Sequence, residues 1–152
     1  ASPEVYVTLA AMDESGVDFC LDVHGDEELP YNFLSGAEGI PGYESSRLPH
    51  LCQVFASSYE RANPDLQHEY GYPIAAPGQA NMTMCTNAVS DRFQCPAYTL
   101  EMPFKDNDNA PDLIYGWSPE RSAELGASAL DALLALSKSM IDERGFNPST
   151  SN

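Results

Sequence analysis

The sequence is poor in positive charge: 7 lysines and arginines stand against 23 aspartates and glutamates, for a formal net charge of -16. Nucleic acids and anionic membranes are therefore poor partners for the general surface, because both are negatively charged. No apolar run approaches the roughly 20 residues that a membrane-spanning helix needs, and no signal-peptide pattern opens the chain. We expect a soluble cytoplasmic protein that binds neither nucleic acid nor membrane.

Several chemical motifs are also missing. The chain has no G-x-S-x-G nucleophile turn and neither of the glycine-rich phosphate-binding patterns, which argues against a serine hydrolase or a nucleotide enzyme. Cysteine pairs at C-x-x-C spacing are absent as well. The cysteines are widely spaced in apolar segments and predict buried free thiols in a reducing compartment rather than disulfides: Cys20, Cys52, Cys85 and Cys95.

What is present suits one domain with a hydrophobic core: 152 residues, of which 43% are apolar. Periodicity and turn residues predict helices over about 3–15, 45–61, 80–92 and 118–143, and strands over 17–23 and 97–102. The long aromatic segment 25–44 is expected to be a functional loop. In the last helix, the apolar stripe is predicted to include Leu130, Leu134 and Ile141, and the tail 147–152 is expected to fray. The order predicts an α/β fold, with a layered mixed sheet flanked by helices and functional groups at strand ends.

A dense group of polar side chains ends the first predicted strand. Asp22 and His24 are two residues apart, so they share one face of that strand. Zinc binds neutral imidazole, and a ligating histidine usually donates its other N–H to a carboxylate, which Asp22 could supply. The alternative is a strand that ends in a solvated acidic turn, with His24 hydrogen-bonded locally.

Glu101 is a charged residue within the second predicted strand. It could act as a general base toward a metal-bound water. Alternatively, the strand lies at a sheet edge and Glu101 pairs with Lys105 or faces water. His50, in a predicted helix, is interpreted as a surface or packing residue, and His68, in a tyrosine-rich loop, as structural.

Two segments together resemble a known family. Residues 19–27, FCLDVHGDE, with PYNF at 30–33, and residues 96–106, PAYTLEMPFKD, are similar to the C-terminal half of M14-type zinc carboxypeptidases, with a closer likeness to the cytosolic carboxypeptidase branch. The resemblance implies that His24 is the third zinc ligand, that Glu101 is the general base, and that residues 1–152 are the C-terminal part of one catalytic domain. The family's first two ligands, in an H-x-x-E motif, and its substrate-binding Asn-Arg pair would lie in a missing upstream half.

The letters His24-Gly25-Asp26-Glu27 also fit H-x-x-E, which leaves a second assignment open. In that case a third histidine should follow on a later strand, yet His50 and His68 fall in a predicted helix and a loop. The strand context favours His24 as the third ligand. The family also uses a tyrosine near the substrate, for which Tyr72 is a candidate, with Tyr70 beside it. Arg92 is the candidate cation for substrates ending in glutamate, which the cytosolic branch suggests.

The expected function is therefore zinc-dependent removal of C-terminal residues from peptides or proteins, with the portion 1–152 inactive without its upstream half. One alternative keeps the fold and the zinc but makes the enzyme an amidohydrolase that deacylates small acylated amino acids. Another, from a different class, is a non-catalytic acidic module that holds a partner through the aromatic loop between Tyr31 and Tyr43.

Overall fold

A computed structural model describes residues 2–143 of the chain. The helices are α1 (Pro3–Ser15), α2 (Leu48–Ala62), α3 (Cys85–Phe93) and α4 (Pro119–Glu143), and the strands are β1 (Cys20–Asp26), β2 (Phe33–Gly36) and β3 (Ala97–Pro103). The predicted tail 147–152 lies outside the described residues. None of the helices within residues 2–143 combines the length and apolarity needed to cross a bilayer.

The strands form a mixed sheet in the order β1-β3-β2, with β1 parallel and β2 antiparallel to the central β3. With helices flanking this sheet, the predicted α/β fold class is confirmed. Strand β2 lies inside the segment that was predicted to be a loop. It has four residues, bounded by turn-forming glycine and proline, and its extended form depends on pairing with β3, which local sequence does not reveal.

Strand β1 lies three residues later in the chain than predicted. Its ladder with β3 runs from Cys20 opposite Ala97 to Asp26 opposite Pro103, so it continues past Gly25. The backbone hydrogen bonds of the parallel pair compensate for the poor strand propensity of glycine. As a result, His24 lies within the sheet rather than in a turn after it.

The hydrophobic core lies between α2, α4 and one face of the sheet. Phe55 and Tyr59 of α2 are fully buried, and the Tyr59 hydroxyl donates a 2.9 Å hydrogen bond to the Leu125 carbonyl of α4. The stripe predicted for α4, Leu130, Leu133, Leu134, Ser137 and Ile141, is right only at Leu133, which packs against the core; the other four are exposed. The residues that α4 buries are Leu125, Ala129, Ala132, Leu136 and Met140. Ala129 and Ala132, which lie on this buried face, allow α4 to approach α2 closely.

Helix α1 buries none of its residues, including the apolar Val5, Leu9 and Met12, which are spaced to share one face. Val5, Tyr6 and Val7 are exposed, and so is Val23 on the neighbouring β1. Strand β1 is also an edge strand, so one side of its backbone pairs with no other strand within residues 2–143. Helix α1 therefore carries exposed apolar side chains, and β1 carries an unpaired sheet edge.

Candidate active site

The central feature of the site is the pairing of His24 with Glu101 across the parallel strands β1 and β3. Partners directly opposite in a ladder share one face of the sheet, so both side chains project to the same side. His24 Nδ1 lies 4.0 Å from Glu101 Oε1. The tertiary structure thus brings together two residues that are far apart in the sequence and that the sequence predicts separately as a metal ligand and a general base.

Asp22 contacts the imidazole of His24 at the ring nitrogen that is farther from Glu101. The Asp22 Oδ1 atom lies 3.1 Å from His24 Nε2. This contact engages Nε2 and leaves Nδ1, the nitrogen nearest Glu101, available to a metal ion. A carboxylate on one imidazole nitrogen and an open second nitrogen is the arrangement of a metal-binding histidine. The histidine side chain is 51% exposed, which allows a ligand to approach.

Glu101 is buried at the centre of the sheet, with 6% of its surface exposed. The alternative of an exposed edge-strand glutamate is wrong, because β3 is flanked by β1 and β2. Burial raises the pKa of the Glu101 carboxyl; His24 opposes this shift, while Asp26, Asp22 and Glu27 add to it. A carboxyl with a raised pKa and a histidine beside it is suited to accepting and returning a proton.

Tyr72 lies on the same side of the sheet as Glu101. Its ring packs edge-on against Phe33, the residue opposite Glu101 on β2, with centroids 5.0 Å apart. The pKa of the Tyr72 hydroxyl is raised by burial first, then by the Glu101 carboxylate and by a hydrogen bond with Asp26. Asp26 was seen from the sequence only as one member of an acidic cluster. In the structure it is buried and accepts the backbone N–H of Glu28 at 2.9 Å.

A cavity of about 730 Å³ runs along the outer edge of β2, next to this group. It lies between β2, the loop 67–75 and the start of α3. Phe33, Tyr72 and Thr99 line it, and Thr99 is two residues before Glu101 on the same strand face. The Thr99 hydroxyl shares a buried 2.7 Å hydrogen bond with that of Thr86 on α3. An organic group bound in the cavity would therefore contact Phe33 and Tyr72, of which Phe33 is the partner of Glu101 on β2.

No family model matches the chain. Several solved structures do match it. One is a metallo-carboxypeptidase from Pseudomonas aeruginosa in complex with (2-guanidinoethylmercapto)succinic acid, which is 44% identical to this chain with a TM-score of 0.86. The match covers 90% of this chain and 36% of that one. A candidate carboxypeptidase A from Shewanella denitrificans is 51% identical with a TM-score of 0.87 and the same coverage. The fold is metallo-carboxypeptidase-like.

An uncharacterized protein of Zymomonas mobilis is 47% identical over 142 residues, which is 93% of this chain and 36% of that protein. The chain therefore spans a little over a third of the length of the relatives that it matches. Its likeness to them covers nearly all of its own length.

Arg92 is not brought together with the group around Glu101. The metallo-carboxypeptidase-like fold places it near the end of α3, where Nη2 forms a 2.6 Å ion pair with Asp13 of α1. The arginine does not line the cavity beside β2. Its predicted role in substrate binding remains a prediction.

The other candidate ligands of the sequence lie apart from His24. Glu27 is exposed in the turn after β1. His50 contacts Ser139 at 3.3 Å on the outer surface of α2, and His68 pairs with Glu60 at 3.0 Å. Within residues 2–143, no three His, Cys, Asp or Glu side chains are arranged to hold a metal ion. Among the three histidines, His24 is the one that lies beside a buried carboxylate, Glu101.

All four cysteines are free thiols in the structure. Cys52 and Cys95 are buried as predicted, whereas Cys20 is half-buried and Cys85, the first residue of α3, is exposed. Its thiol contacts both Asp22 and Cys20; burial raises the Cys85 pKa to about 11, with the Asp22 carboxylate adding to the shift. Sequence reasoning missed this neighbour of Asp22, because the contact depends on how α3 packs against β1.

Proposed function

We propose that the chain is the C-terminal part of a single catalytic domain of an M14-type zinc carboxypeptidase, of the cytosolic branch, which removes C-terminal residues from peptides or proteins in the cytoplasm. The observation that carries this proposal is the pairing of His24, held by Asp22, with the buried Glu101. The likeness to the metallo-carboxypeptidase of Pseudomonas aeruginosa supports it, with a TM-score of 0.86.

His24 is the residue of this chain that would bind the zinc ion, through Nδ1. Structural and catalytic zinc sites use three or four protein ligands. Because the described residues offer no such group, the remaining ligands would come from the part of the longer protein that the relatives possess. When bound, zinc supplies Lewis-acid chemistry that polarises a carbonyl group and acidifies a water molecule.

Glu101 handles the proton in the proposed hydrolysis. Its carboxylate accepts a proton from the attacking water and returns it to the departing amine, so its two protonation states must be close in free energy. Burial, which raises its pKa, favours the first of these steps, because a carboxylate in a poorly solvated position is stabilised by taking up a proton. Asp22 keeps the imidazole of His24 in one orientation throughout.

The substrate would enter through the cavity beside β2. Tyr72, at the junction of this cavity and Glu101, is the candidate for contact with the peptide. Arg92 remains a candidate for long-range attraction of a carboxylate, although its guanidinium is already paired with Asp13. The acidic surface opposes acidic substrates elsewhere on the protein.

The missing upstream half of the catalytic domain is the proposed intramolecular partner. The unpaired edge of β1 suits a further strand, and the exposed apolar side chains of α1 suit a packing partner. Packing there would bring the upstream zinc ligands close to His24, which lies on β1. Without that half, the described portion is expected to be inactive.

The test is Glu101→Gln in the full-length protein, with Glu44→Gln as a matched control. Glu44 is an exposed carboxylate that does not line the cavity, and its loss removes the same charge. We expect Glu101→Gln to lower kcat by about 10²–10⁴-fold with unchanged zinc content, the usual contribution of a general base. Residual activity within about tenfold of the wild type would remove Glu101 from this role. Parallel assays on peptides and on acylated amino acids separate carboxypeptidase from deacylase activity.

A further inference from the structure

Helix α3 is fixed to the sheet next to the candidate site. In its first turn, the Thr86 hydroxyl shares a buried 2.7 Å hydrogen bond with that of Thr99 on β3. Four residues later, and so on the same face of the helix, the Ser90 hydroxyl donates a buried 2.8 Å hydrogen bond to the Cys95 carbonyl just before β3. Breaking either bond would leave a buried polar atom without a partner. The start of α3 is therefore held at a defined place over the sheet.

This placement brings Cys85 to Asp22. On β1, Asp22 lies directly opposite Thr99 in the parallel ladder, so the two side chains share one face of the sheet. Cys85 immediately precedes Thr86, the partner of Thr99, and its thiol contacts both Asp22 and Cys20 of β1. The residue as a whole is exposed at the start of α3, but its sulfur is turned toward β1.

The Cys85 thiol is a hydrogen-bond donor at this position. Burial raises its pKa to about 11, and the Asp22 carboxylate adds to the shift. The thiol therefore keeps its proton at neutral pH and has an S–H group to donate. Of the two neighbours of the sulfur, the charged carboxylate is a stronger acceptor than the Cys20 thiol. The Asp22 carboxylate consequently receives the S–H group.

Asp22 is thus contacted from two sides. Its Oδ1 atom lies 3.1 Å from His24 Nε2, and its carboxylate also accepts the thiol of Cys85. The Asp22 side chain is 32% exposed, so a carboxylate with only one of these contacts would be freer to turn toward water. A fixed carboxylate keeps the imidazole proton on Nε2, which leaves Nδ1, the nitrogen near Glu101, unprotonated.

Resting on the proposed function, we propose that Cys85 is a positioning residue for the metal-binding histidine: its thiol fixes the carboxylate of Asp22, which in turn fixes the imidazole of His24. A carboxylate that supports a ligating histidine usually contributes about 10–100-fold to metal affinity. Cys85 lies one contact further from the metal, and S–H is a weak donor. Its contribution to zinc affinity is therefore expected to be smaller, about threefold.

The first measurement is the zinc affinity of the full-length protein, by competition with a chelator. Cys85→Ala should weaken it about threefold, and Cys85→Ser should restore it, because a hydroxyl also donates to Asp22. Cys20→Ala is the matched control, since it removes the thiol on the other side of the Cys85 contact and should leave the affinity unchanged. Equal weakening by Cys20→Ala and Cys85→Ala would overturn the proposal, because lost packing between α3 and β1 would explain both.

A double-mutant cycle shows whether Cys85 acts through Asp22. In the Asp22→Ala protein the carboxylate is absent, so Cys85→Ala should cost no further zinc affinity. If Cys85→Ala weakens zinc binding as much in this background as in the wild type, the thiol acts by another route and the proposal is wrong.

The tautomer of His24 in metal-free, full-length protein separates this proposal from the proposed function. Nitrogen-15 NMR of histidine-labelled protein, at a pH where imidazole is neutral, reports whether the ring proton is on Nε2 or Nδ1. Cys85→Ala should lower the fraction with the proton on Nε2, whereas Cys85→Ser and Cys20→Ala should not. If these differences appear but the wild type cleaves no peptide, the proposed function fails and the positioning role stands. An unchanged tautomer in Cys85→Ala would overturn the positioning role, whatever the activity.

Discussion

Replacing Asp22 with asparagine tests the arrangement around His24 most directly. The change removes the negative charge 3.1 Å from His24 Nε2 and keeps the size of the side chain. A neutral amide holds the imidazole less firmly and makes Nδ1 a weaker donor to a metal. Changes to such supporting carboxylates usually cost 10–100-fold in metal affinity. Because the Asp22 side chain is about a third exposed and that of His24 half exposed, water screens the pair, and we expect the lower end, about tenfold or about 1.4 kcal/mol.

The measurement is a competition titration of zinc against a chelator in the full-length protein. Glu27→Gln is the matched control: it removes the same charge three residues from His24, from an exposed side chain in the turn after β1. It should change the zinc affinity much less than Asp22→Asn does. If Glu27→Gln weakens zinc binding as much or more, His24 and Glu27 form an H-x-x-E ligand pair, and the assignment of His24 as the third ligand is wrong. Equal affinities for the wild type and Asp22→Asn would show that Asp22 does not support the ligand.

Three further predictions concern Glu101, Tyr59 and Arg92. Burial raises the pKa of the Glu101 carboxyl above its ordinary 4.5. The folded state therefore keeps the carboxyl proton to a higher pH than the unfolded chain does. The stabilisation that this gives is complete below pH 4.5 and is lost as the pH rises through the raised pKa. In metal-free full-length protein, the melting temperature of Glu101→Gln relative to the wild type should therefore increase as pH rises from 4.5, and a constant difference would contradict the shift. Tyr59→Phe should lower the free energy of unfolding by about 1 kcal/mol in chemical denaturation, because it leaves the Leu125 carbonyl without its buried 2.9 Å hydrogen bond; a neutral effect would mean that water replaces the hydroxyl. Arg92→Ala should raise KM for peptides ending in Glu more than for those ending in Leu or Ala, whereas equal effects would leave Arg92 as the partner of Asp13.

Local sequence was sufficient for the approximate positions of the helices and for the choice of candidate site residues. The pairs Ser2-Pro3 and Ser118-Pro119 predicted the starts of α1 and α4, because serine and proline favour the first positions of a helix. Asp22 and His24 were expected on one face of a strand, since side chains alternate along any strand regardless of its neighbours. The resemblance of two segments to zinc carboxypeptidases identified His24 and Glu101, which the sheet then placed opposite each other.

Other features depended on contacts between distant parts of the chain. Strand β2 and the true limits of β1 come from pairing with β3, and a four-residue strand has no periodicity by which to recognise it. The buried face of α4 was decided by its fit to α2, where alanines pack more closely than the leucines that dominate the sequence pattern.

The surroundings of Glu101 show most clearly which properties the sequence determines and which the tertiary structure determines. The sequence alone determined that a carboxylate lies within a strand and which residue type it is. Its burial, its raised pKa and its distance of 4.0 Å from His24 are decided by the central position of β3 in the tertiary structure. Desolvation and Coulomb interactions depend on which groups surround a charge in space, and separation along the chain carries little information about either.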